Sequence, residues 1–245
     1  MYTEIKRLIK SVIPKTFLFH YEPKFRLVLY QFYKGENYQC NLCNKTLRKF
    51  IIMEDGERLC PFCGSLSRTR LLWDILSSGY IKKGICMLDF SPSRSLYRVL
   101  KNSAGISYSS TDISGDFLAD FQFDITNIDA EKDTYDLIIC YHILEHIERD
   151  MKAMQEIYRV MKKGGTCIIQ TPFKIGDIYE DLSVATELER LKHFGQKDHV
   201  RIYSVGGLKD RLVRCGFQVT VRQFTDIEDN KFGFKEAEAV LICTK

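Results

Sequence analysis

The sequence predicts an α/β protein whose main domain is a doubly wound, mostly parallel sheet, with a small zinc-binding module in front of it. Two observations predict this. From about residue 84 onward, short apolar runs alternate with amphipathic stretches of helical period, as crossover units of a parallel sheet require. Before that point lie two C-x-x-C pairs at zinc-site spacing. We therefore divide the chain into an N-terminal part, residues 1–83, and a main domain, residues 84–245.

The composition is that of an ordinary globular protein. The chain has 245 residues, of which 45% are hydrophobic and 28% charged. No apolar run approaches the roughly 18 residues that a transmembrane helix needs. The first residues carry scattered charges and no signal-peptide core. We therefore expect a cytoplasmic protein.

The N-terminal part is basic. Residues 1–85 contain 15 Lys and Arg against 7 Asp and Glu, whereas the remainder contains 21 against 25. Residues 5–13 have the apolar spacing of an amphipathic helix, which Pro14 ends. Such a helix can lie on an anionic membrane surface or pack on its own domain, and the basic charge favours an anionic partner. Both interpretations stay open at this point, and oligomeric state is not predicted.

Four of the nine cysteines have the spacing of a metal site. Cys40 and Cys43 form one C-x-x-C pair, Cys60 and Cys63 form the other, and sixteen residues separate the pairs. Each pair offers two thiolates, so that two pairs complete a tetrahedral sulfur shell. We predict structural zinc; iron in the same shell or a redox pair are the alternatives. The remaining cysteines adjoin apolar runs and are predicted to be core residues rather than disulfides: Cys86, Cys140, Cys167, Cys215 and Cys243.

The elements are predicted in chain order as follows. A helix covers residues 68–79, and further helices cover 91–102, 150–165 and 204–217. Ser91 is placed as the N-cap of the second and Pro92 at its first position, while Gly164 and Gly165 end the third. Strands are predicted at residues 85–90, 106–112, 135–140 and 166–171, with a terminal antiparallel pair at 218–224 and 238–244.

Polar side chains follow the ends of successive strands. Asp89 and Ser91 end the first strand, and Asp112 ends the second, 23 residues after Asp89. A carboxylate at that distance can accept hydrogen bonds from both hydroxyls of a ribose. Asp124, after a third short strand, is placed to meet an adenine amino group. The sequence therefore predicts a nucleoside site at the carboxyl ends of the strands.

Several segments carry a family resemblance: "MLDFSPS", "STDIS", "DITNI", "YDLIICYHILEHIERDMKAMQEIYRVMKKGGTCIIQTPF" and "HFGQKDHVRIYS". Together they resemble a class I S-adenosylmethionine-dependent methyltransferase. More narrowly, they resemble a bacterial group found among surface-polysaccharide genes, whose "CxxC…CPxCGSxxRxR" module matches "CNLC" and "CPFCGSLSRTR" here. The resemblance covers roughly residues 40–245. It implies a Rossmann-like sheet of seven strands, S-adenosylmethionine as cofactor and structural zinc.

The first loop departs from the family pattern. Methyltransferases usually have G-x-G-x-G there, and this chain has "DFSPSRS" without glycine. A helix N-terminus can still hold the cofactor carboxylate, with serine hydroxyls helping. The cofactor-binding residues that the resemblance and the strand ends imply are Asp89, Ser91, Pro92, Ser93, Asp112, Ile113, Asp124, Ile125, Tyr141 and His142.

The segment "YHILEHIERD" also contains the zinc-peptidase pattern H-x-x-E-H, formed by His142, Glu145 and His146. Such a site needs a third ligand and a single helix, whereas His142 directly follows a buried strand. The family resembled has the same "LEH" segment, without metal, beside the cofactor. We therefore interpret His142 as a neighbour of the cofactor and His146 as facing the acceptor.

Methyl transfer to a hydroxyl needs a group that accepts a proton near neutral pH. The candidates are His146 and His199, the latter in the long segment 172–203, which shows no clear hydrophobic period and is predicted to cover the substrate. Arg201 and Tyr203 in that segment are candidate ligands of a phosphate or sugar. The predicted function is methylation of a small molecule or glycan, such as a nucleotide- or lipid-linked sugar of polysaccharide synthesis. RNA methylation and a catalytically silent binding protein are the alternatives.

Overall fold

The computed structural model describes residues 15–115, 117–225, 227 and 229–245, and the chain forms two compact units. The first unit comprises the described residues of Met1–Ser78, Ser93–Val99 and Glu228–Lys235. The second comprises those of Gly79–Pro92, Leu100–Ile227 and Glu236–Lys245. The helix predicted at residues 5–13 lies outside the described residues.

The N-terminal stretch of the first unit forms short hairpins and two helices. Helix α1 is Lys15–Gln31, strands β1 and β2 are Lys34–Gln39 and Thr46–Leu47, β3 and β4 are Ile51–Ile52 and Arg58–Leu59, and helix α2 is Ser67–Ile75. The strands pair antiparallel as β1 with β2 and β3 with β4. A π-helical turn, Leu76–Tyr80, continues α2, and Gly79 there has a φ of 151°. The helix predicted to lead to Gly79 is confirmed.

The first unit is built around a buried arginine. Arg70 is fully buried. It donates from Nε to the carbonyl oxygen of Phe232 (2.6 Å), and its guanidinium lies 4.1 Å from the ring centre of Phe50. Its other two nitrogens donate to the carbonyl oxygens of Arg58, Ser65 and Gly233. One side chain thereby joins three separate stretches of the chain through charge-assisted hydrogen bonds.

The second unit contains a mixed sheet with the predicted alternation of strands and helices. The strands are β5 (Cys86–Phe90), β6 (Ser107–Thr111), β7 (Tyr135–Tyr141), β8 (Met161–Gln170), β11 (Gln218–Phe224) and β12 (Glu238–Thr244). Their order across the sheet is β11-β12-β8-β7-β5-β6. The pairs β5–β6, β5–β7 and β7–β8 are parallel, whereas β12 runs antiparallel to both β8 and β11. The predicted terminal antiparallel pair is therefore confirmed.

Within the described residues, three helices follow these strands along the chain: α3 (Arg94–Lys101), which belongs to the first unit as far as Val99, α4 (Asp150–Val160) and α6 (Val205–Arg214). The segment between β8 and α6 adds the short strands β9 (Tyr179–Glu180) and β10 (Arg201–Ile202) and the helix α5 (Glu187–Phe194). That segment, residues 172–203, is thus partly regular, although its sequence shows no clear hydrophobic period.

The expected strand number is wrong. The sheet has six strands in the described part of the chain, not seven. The third short strand, expected just before Asp124, forms only isolated bridges, Thr111 with Phe121 and Asp124 with Asn127. The side chain of Asp124 accepts from the backbone N–H of Thr126, which bends the chain there instead of extending it.

The predicted end of helix α4, at Gly164 and Gly165, is also wrong. The helix ends at Val160, and Met161 is already extended and pairs with Tyr135 of β7. Gly164 and Gly165 lie within β8, where the register with β7 shifts. A side chain at Gly165 would come within 2.8 Å of a backbone oxygen, so the two glycines serve an irregular strand rather than a helix end.

The core of the second unit combines β5, β7, β8 and β12 with residues of α4 and α6. Cys140, Cys167 and Cys243 are fully buried in it, and Cys86 and Cys215 pack against it partly buried, as predicted. Among the residues described, no helix combines the length and the apolar character needed to cross a membrane.

Candidate functional site

A cleft in the second unit collects side chains from the ends of neighbouring strands. Parallel pairing of β5 and β6 places Phe90 beside Thr111, so that the residues after them, Ser91 and Asp112, emerge together. The cleft has a volume of about 280 Å³, near the lower end of the ~300–1,000 Å³ typical of small-molecule sites. Its lining includes Ser91, Asp112, Ile113, Asp124, Ile125 and His146, all of them predicted site residues.

Ser91 replaces glycine at the turn after β5. Its φ is 49°, in the left-handed region that few side chains adopt. Its hydroxyl donates to Asp112 Oδ1 at 2.7 Å, which offsets part of the strain. The prediction that Ser91 is the N-cap of helix α3 is therefore wrong. Helix α3 begins at Arg94, and the hydroxyl of Ser93 accepts from the N–H of Leu96 at 3.4 Å, so Ser93 caps the helix.

The two acids of the cleft differ in their surroundings. Asp112 is buried, and its Oδ2 accepts from the hydroxyl of Ser114 (2.8 Å) and the N–H of Phe117 (3.2 Å). These bonds fix the carboxylate at the edge of the cleft. Asp124 is exposed, and its Oδ1 accepts from both the N–H and the hydroxyl of Thr126. The sequence thus located both acids, but not the partners that orient them.

Among the described residues, five of the predicted cofactor residues are not part of the cleft lining: Asp89, Pro92, Ser93, Tyr141 and His142. Asp89 is almost fully buried within β5, where its Oδ2 accepts from the hydroxyl of Tyr108 at 3.0 Å. Burial raises the pKa of Asp89 to about 7, against the lowering effect of that hydrogen bond. Pro92 is also buried.

The loop after β7 brings three donor groups together. Donor atoms of Glu145, His146 and His199 all lie within 4.8 Å of one another. Glu145 is 1% exposed, and neither carboxylate oxygen accepts a hydrogen bond from the described part of the chain. His142 Nδ1 lies 3.2 Å from Glu145 Oε1, at ion-pair distance but without hydrogen-bond geometry.

The electrostatics of this cluster favour an ionised carboxylate and a neutral imidazole. Burial works to raise the pKa of Glu145, but His142 together with smaller contributions lowers it below its usual value. Burial lowers the pKa of His199, which is 4% exposed. The rings of His146 and His199 meet edge to face, with centres 4.7 Å apart.

Arg201 and Tyr203 lie in a buried network, not on a surface open to an acceptor. The guanidinium of Arg201 bonds to Glu180 and to the carbonyl oxygens of Leu144, Ile147 and Glu148. Tyr203 is fully buried and its hydroxyl donates to Asp150. The prediction that these side chains bind a phosphate or sugar has no support in this geometry. Their bonds fasten β10 and its neighbours to the loop after β7.

The four predicted metal-binding cysteines meet in the first unit. Their Sγ atoms all lie within 4.8 Å of one another; Cys40 and Cys63 are 3.6 Å apart, and Cys43 and Cys60 are 3.9 Å apart. A tetrahedral zinc ion with Zn–S bonds of about 2.3 Å requires sulfur atoms about 3.8 Å apart. The cysteines therefore fit zinc, and the same shell fits iron.

Backbone geometry repeats at the two pairs. The N–H of Asn44 donates to the carbonyl oxygen of Cys40, and the N–H of Gly64 donates to that of Cys60. Both donors have positive φ, 58° and 79°. A positive φ is expected for glycine, which Gly64 is. Asn44 tolerates the same conformation because its side chain is short and polar. Each pair is thus held in a tight turn that directs two thiols to one point.

The buried guanidinium of Arg70 belongs to the same environment. Burial lowers the pKa of Arg70, while the thiols of Cys40, Cys60 and Cys63 act in the opposite direction. A fixed cation near this cluster helps to offset the charge of the thiolates. Arg70 is the last residue of the "CPFCGSLSRTR" motif, yet nothing in that motif indicates that it is a core residue.

The sheet order, the parallel strands and the cleft at their carboxyl ends define a class I methyltransferase fold. Solved structures share it. A chain of the complex between the Haloferax volcanii Trm112 methyltransferase activator and a methyltransferase is 13% identical, with a TM-score of 0.53, over 71% of this chain and 88% of that chain. A SAM-dependent methyltransferase from Archaeoglobus fulgidus is 16% identical, with a TM-score of 0.52, over 71% and 93%.

A third similar structure shows how widely this fold is used. The [4+2]-cyclase SpnF is 14% identical, with a TM-score of 0.51, over 72% of this chain and 80% of that chain. The likeness therefore establishes the fold and leaves the reaction to the site. No curated protein matches the sequence.

The family is shown by the sequence itself. A family model described as "Methyltransferase domain" matches residues 68–221, well over half of the chain. The chain belongs to this methyltransferase family.

Proposed function

We propose that the protein transfers the methyl group of S-adenosylmethionine to a hydroxyl of a small molecule or glycan. One observation carries the proposal. Ser91 and Asp112 follow the neighbouring strands β5 and β6 and Asp124 lies in the loop between β6 and β7, yet they line one cleft, together with His146. A cofactor site and a proton-accepting imidazole thereby share the same opening, which is what methyl transfer to a hydroxyl requires.

The cofactor roles follow from the chemistry of the lining. Asp112 binds the ribose hydroxyls, because its carboxylate is held at the cleft edge by Ser91, Ser114 and Phe117. Asp124 and Ile125 take the adenine, the acid on the amino group and the isoleucine against the ring. Ser91 presents its backbone and hydroxyl at the position where related enzymes have glycine. Bound S-adenosylmethionine supplies an electrophilic methyl group.

The acceptor is proposed to be a nucleotide- or lipid-linked sugar of surface-polysaccharide synthesis. The supporting feature is the segment 172–203, which carries several exposed apolar side chains. Ile175 is 99% exposed, Leu182 97% and Leu188 80%. Such side chains are suited to an acceptor with an apolar part or to the surface of an anionic membrane.

Calorimetry with S-adenosylmethionine tests the cofactor site first. The wild-type chain should bind the cofactor, and Asp112→Asn should weaken binding by about 1.5–3 kcal/mol, roughly 10- to 150-fold, because a charged hydrogen-bond acceptor is lost. Asp129→Asn is the matched control, since Asp129 is exposed and not part of the cleft lining. Failure of the wild-type chain to bind the cofactor would contradict the proposed function. Equal cofactor affinity of Asp112→Asn and Asp129→Asn would show that Asp112 does not bind the ribose.

A second experiment tests the acceptor class. Sugar nucleotides and lipid-linked sugars are incubated with labelled cofactor, and His146→Ala is assayed beside the wild type. Turnover should fall by about 10²–10⁴-fold in the variant while cofactor affinity stays nearly unchanged. Labelling of RNA but of no sugar would favour the alternative acceptor.

A further inference from the structure

The cluster of Glu145, His146 and His199 has the composition of a metal site. One carboxylate and two imidazoles offer donor atoms that lie within 4.8 Å of one another. Three protein ligands of this kind, with coordination positions left for water or substrate, are typical of catalytic zinc and of other divalent transition metals. The cysteine cluster, in contrast, has four ligands and is closed.

The state of Glu145 is a second, independent observation. The residue is 1% exposed and its carboxylate oxygens accept no hydrogen bond within the described chain. A buried charge in a protein is normally paired with hydrogen bonds or bound to a metal ion, because burial without such compensation costs several kcal/mol. His142, at 3.2 Å, provides an adjacent imidazole but no hydrogen bond. His142 thus compensates part of the charge of Glu145, and both carboxylate oxygens keep the capacity to bind a metal ion.

Two further contacts hold the donors in place. The N–H of Val200 donates to the carbonyl oxygen of Glu145 at 2.9 Å, which ties the residue after His199 to the loop. His146 Nδ1 lies 3.3 Å from the carbonyl oxygen of Asp198 and 3.4 Å from its carboxylate. The tautomer that donates from Nδ1 leaves the lone pair of Nε2 for a metal ion. Partners of this kind orient the imidazoles of metal sites.

We propose that Glu145, His146 and His199 bind a divalent transition-metal ion, at a site distinct from the four cysteines. His142 lies outside the ligand set and positions Glu145. The H-x-x-E-H pattern thus marks a metal site in a different way from a zinc peptidase. Its glutamate is a ligand, its first histidine is not, and the third ligand is His199, 53 positions after His146.

The site bears on the acceptor, and this step rests on the proposed function. His146 lines the cleft, so an ion beside it would face the acceptor. With the ion bound, His146 would act as a ligand and no longer as the base. The ion, as a Lewis acid, would lower the pKa of a coordinated hydroxyl so that the hydroxyl could lose its proton to water. An acceptor with two adjacent hydroxyls, as many sugars have, would fit the coordination positions that three protein ligands leave free.

Metal titration of the full chain tests the proposal with Zn²⁺ and Co²⁺ as the probes. The protein is stripped with a chelator, reloaded and analysed for bound metal. The wild type should bind two equivalents, and Glu145→Gln and His199→Asn should bind one, with the affinity of the second site reduced more than about 100-fold. Asp198→Ala should keep the second site but weaken it by about 10- to 100-fold. His193→Asn, an exposed histidine in the same segment, should still bind two.

Absorption of the Co²⁺-loaded protein assigns the equivalent that is lost. The thiolate-to-cobalt band of the cysteine site should persist in every variant. A folding defect is recognised separately: Glu145→Gln should be at least as stable as the metal-free wild type, since it removes a buried charge. A second equivalent that survives in both Glu145→Gln and His199→Asn would overturn the proposal, as would a wild type that binds metal only at the cysteines. Cofactor calorimetry on the same samples reports on the proposed function independently.

Discussion

Asp89 shows how a single buried carboxylate can shape the stability of the second unit. Burial raises its pKa to about 7, whereas in the unfolded chain it titrates near 3.8. The folded state therefore retains a proton that the unfolded state loses between about pH 4 and pH 7. Stability contributed by this group is greatest below pH 4, falls through that interval and is constant above it.

Replacement of Asp89 with Asn should remove this pH dependence. The difference of about three pH units between the folded and unfolded pKa values corresponds to about 4 kcal/mol. The free energy of unfolding of the variant, relative to that of the wild type, should therefore be higher at pH 8 than at pH 4 by up to that amount. Urea unfolding at the two pH values measures it. Tyr108→Phe should strengthen the pH dependence of stability. It removes the hydrogen bond that lowers the pKa of Asp89, so that this pKa rises further. If the free energies of unfolding of the wild type and Asp89→Asn differ by the same amount at both pH values, Asp89 is ionised in the folded protein and the prediction is wrong.

Individual site residues can be predicted from the sequence more readily than the groups that they contact in the fold. Asp112 and Asp124 could be found because acids at the ends of successive strands are visible in a linear pattern. The contact of Glu145 with His199 could not, since the two residues are far apart in the chain and no periodicity connects them. Arg70 was hidden for a different reason: a charged side chain is rarely buried, and its carbonyl partners are backbone atoms that any residue could supply.

At the scale of elements, the strands were predicted well where they are buried. The run of residues 135–140 is apolar because β7 pairs with strands on both sides, and such runs are readily recognised. The end of α4 was missed because Met161, Lys162 and Lys163 have good helix propensity. Pairing of Met161 with β7 overrides that propensity, and local sequence carries no sign of it. The third short strand, expected just before Asp124, is the part of the predicted sheet that is wrong, because that stretch forms only isolated bridges.

Helix α5 begins with a capping signal that is visible in the sequence. Thr186 and Glu189 form a reciprocal capping box, visible in the sequence as "TELE". The cap holds a short helix in the segment 172–203, which we propose to cover the acceptor. Most of α5 is exposed, so the cap is a major local source of its stability.

Thr186→Ala should unwind this helix and thereby weaken acceptor binding. Loss of an N-cap costs about 1 kcal/mol, which corresponds to roughly a fivefold rise in the acceptor KM while cofactor affinity stays constant. Ser204→Ala is the matched control, because Ser204 caps α6 in the same way through the N–H of Gly207. It should lower stability by a similar amount without raising the acceptor KM. Equal KM values for both variants would exclude a role of α5 in acceptor binding.

At the scale of the whole molecule, the two units differ in what stabilises them. The second unit has an extensive apolar core that includes Cys140, Cys167 and Cys243. The first unit has short strands of two to six residues, a buried guanidinium and the four-cysteine cluster. A unit of this kind depends on its metal ion, because the binding energy of a structural metal is largely folding energy.

Chelation should therefore unfold the first unit and leave the core of the second intact. Alkylation of the full chain before and after chelation, read by mass spectrometry, measures this at each cysteine. Cys40, Cys43, Cys60 and Cys63 should be protected in the metal-loaded protein and react after chelation, because their thiolates are then free. The three core cysteines should stay unreactive in both states. Reaction of the four cysteines before chelation would contradict a structural metal, and reaction of the core cysteines after it would show that both units unfold together.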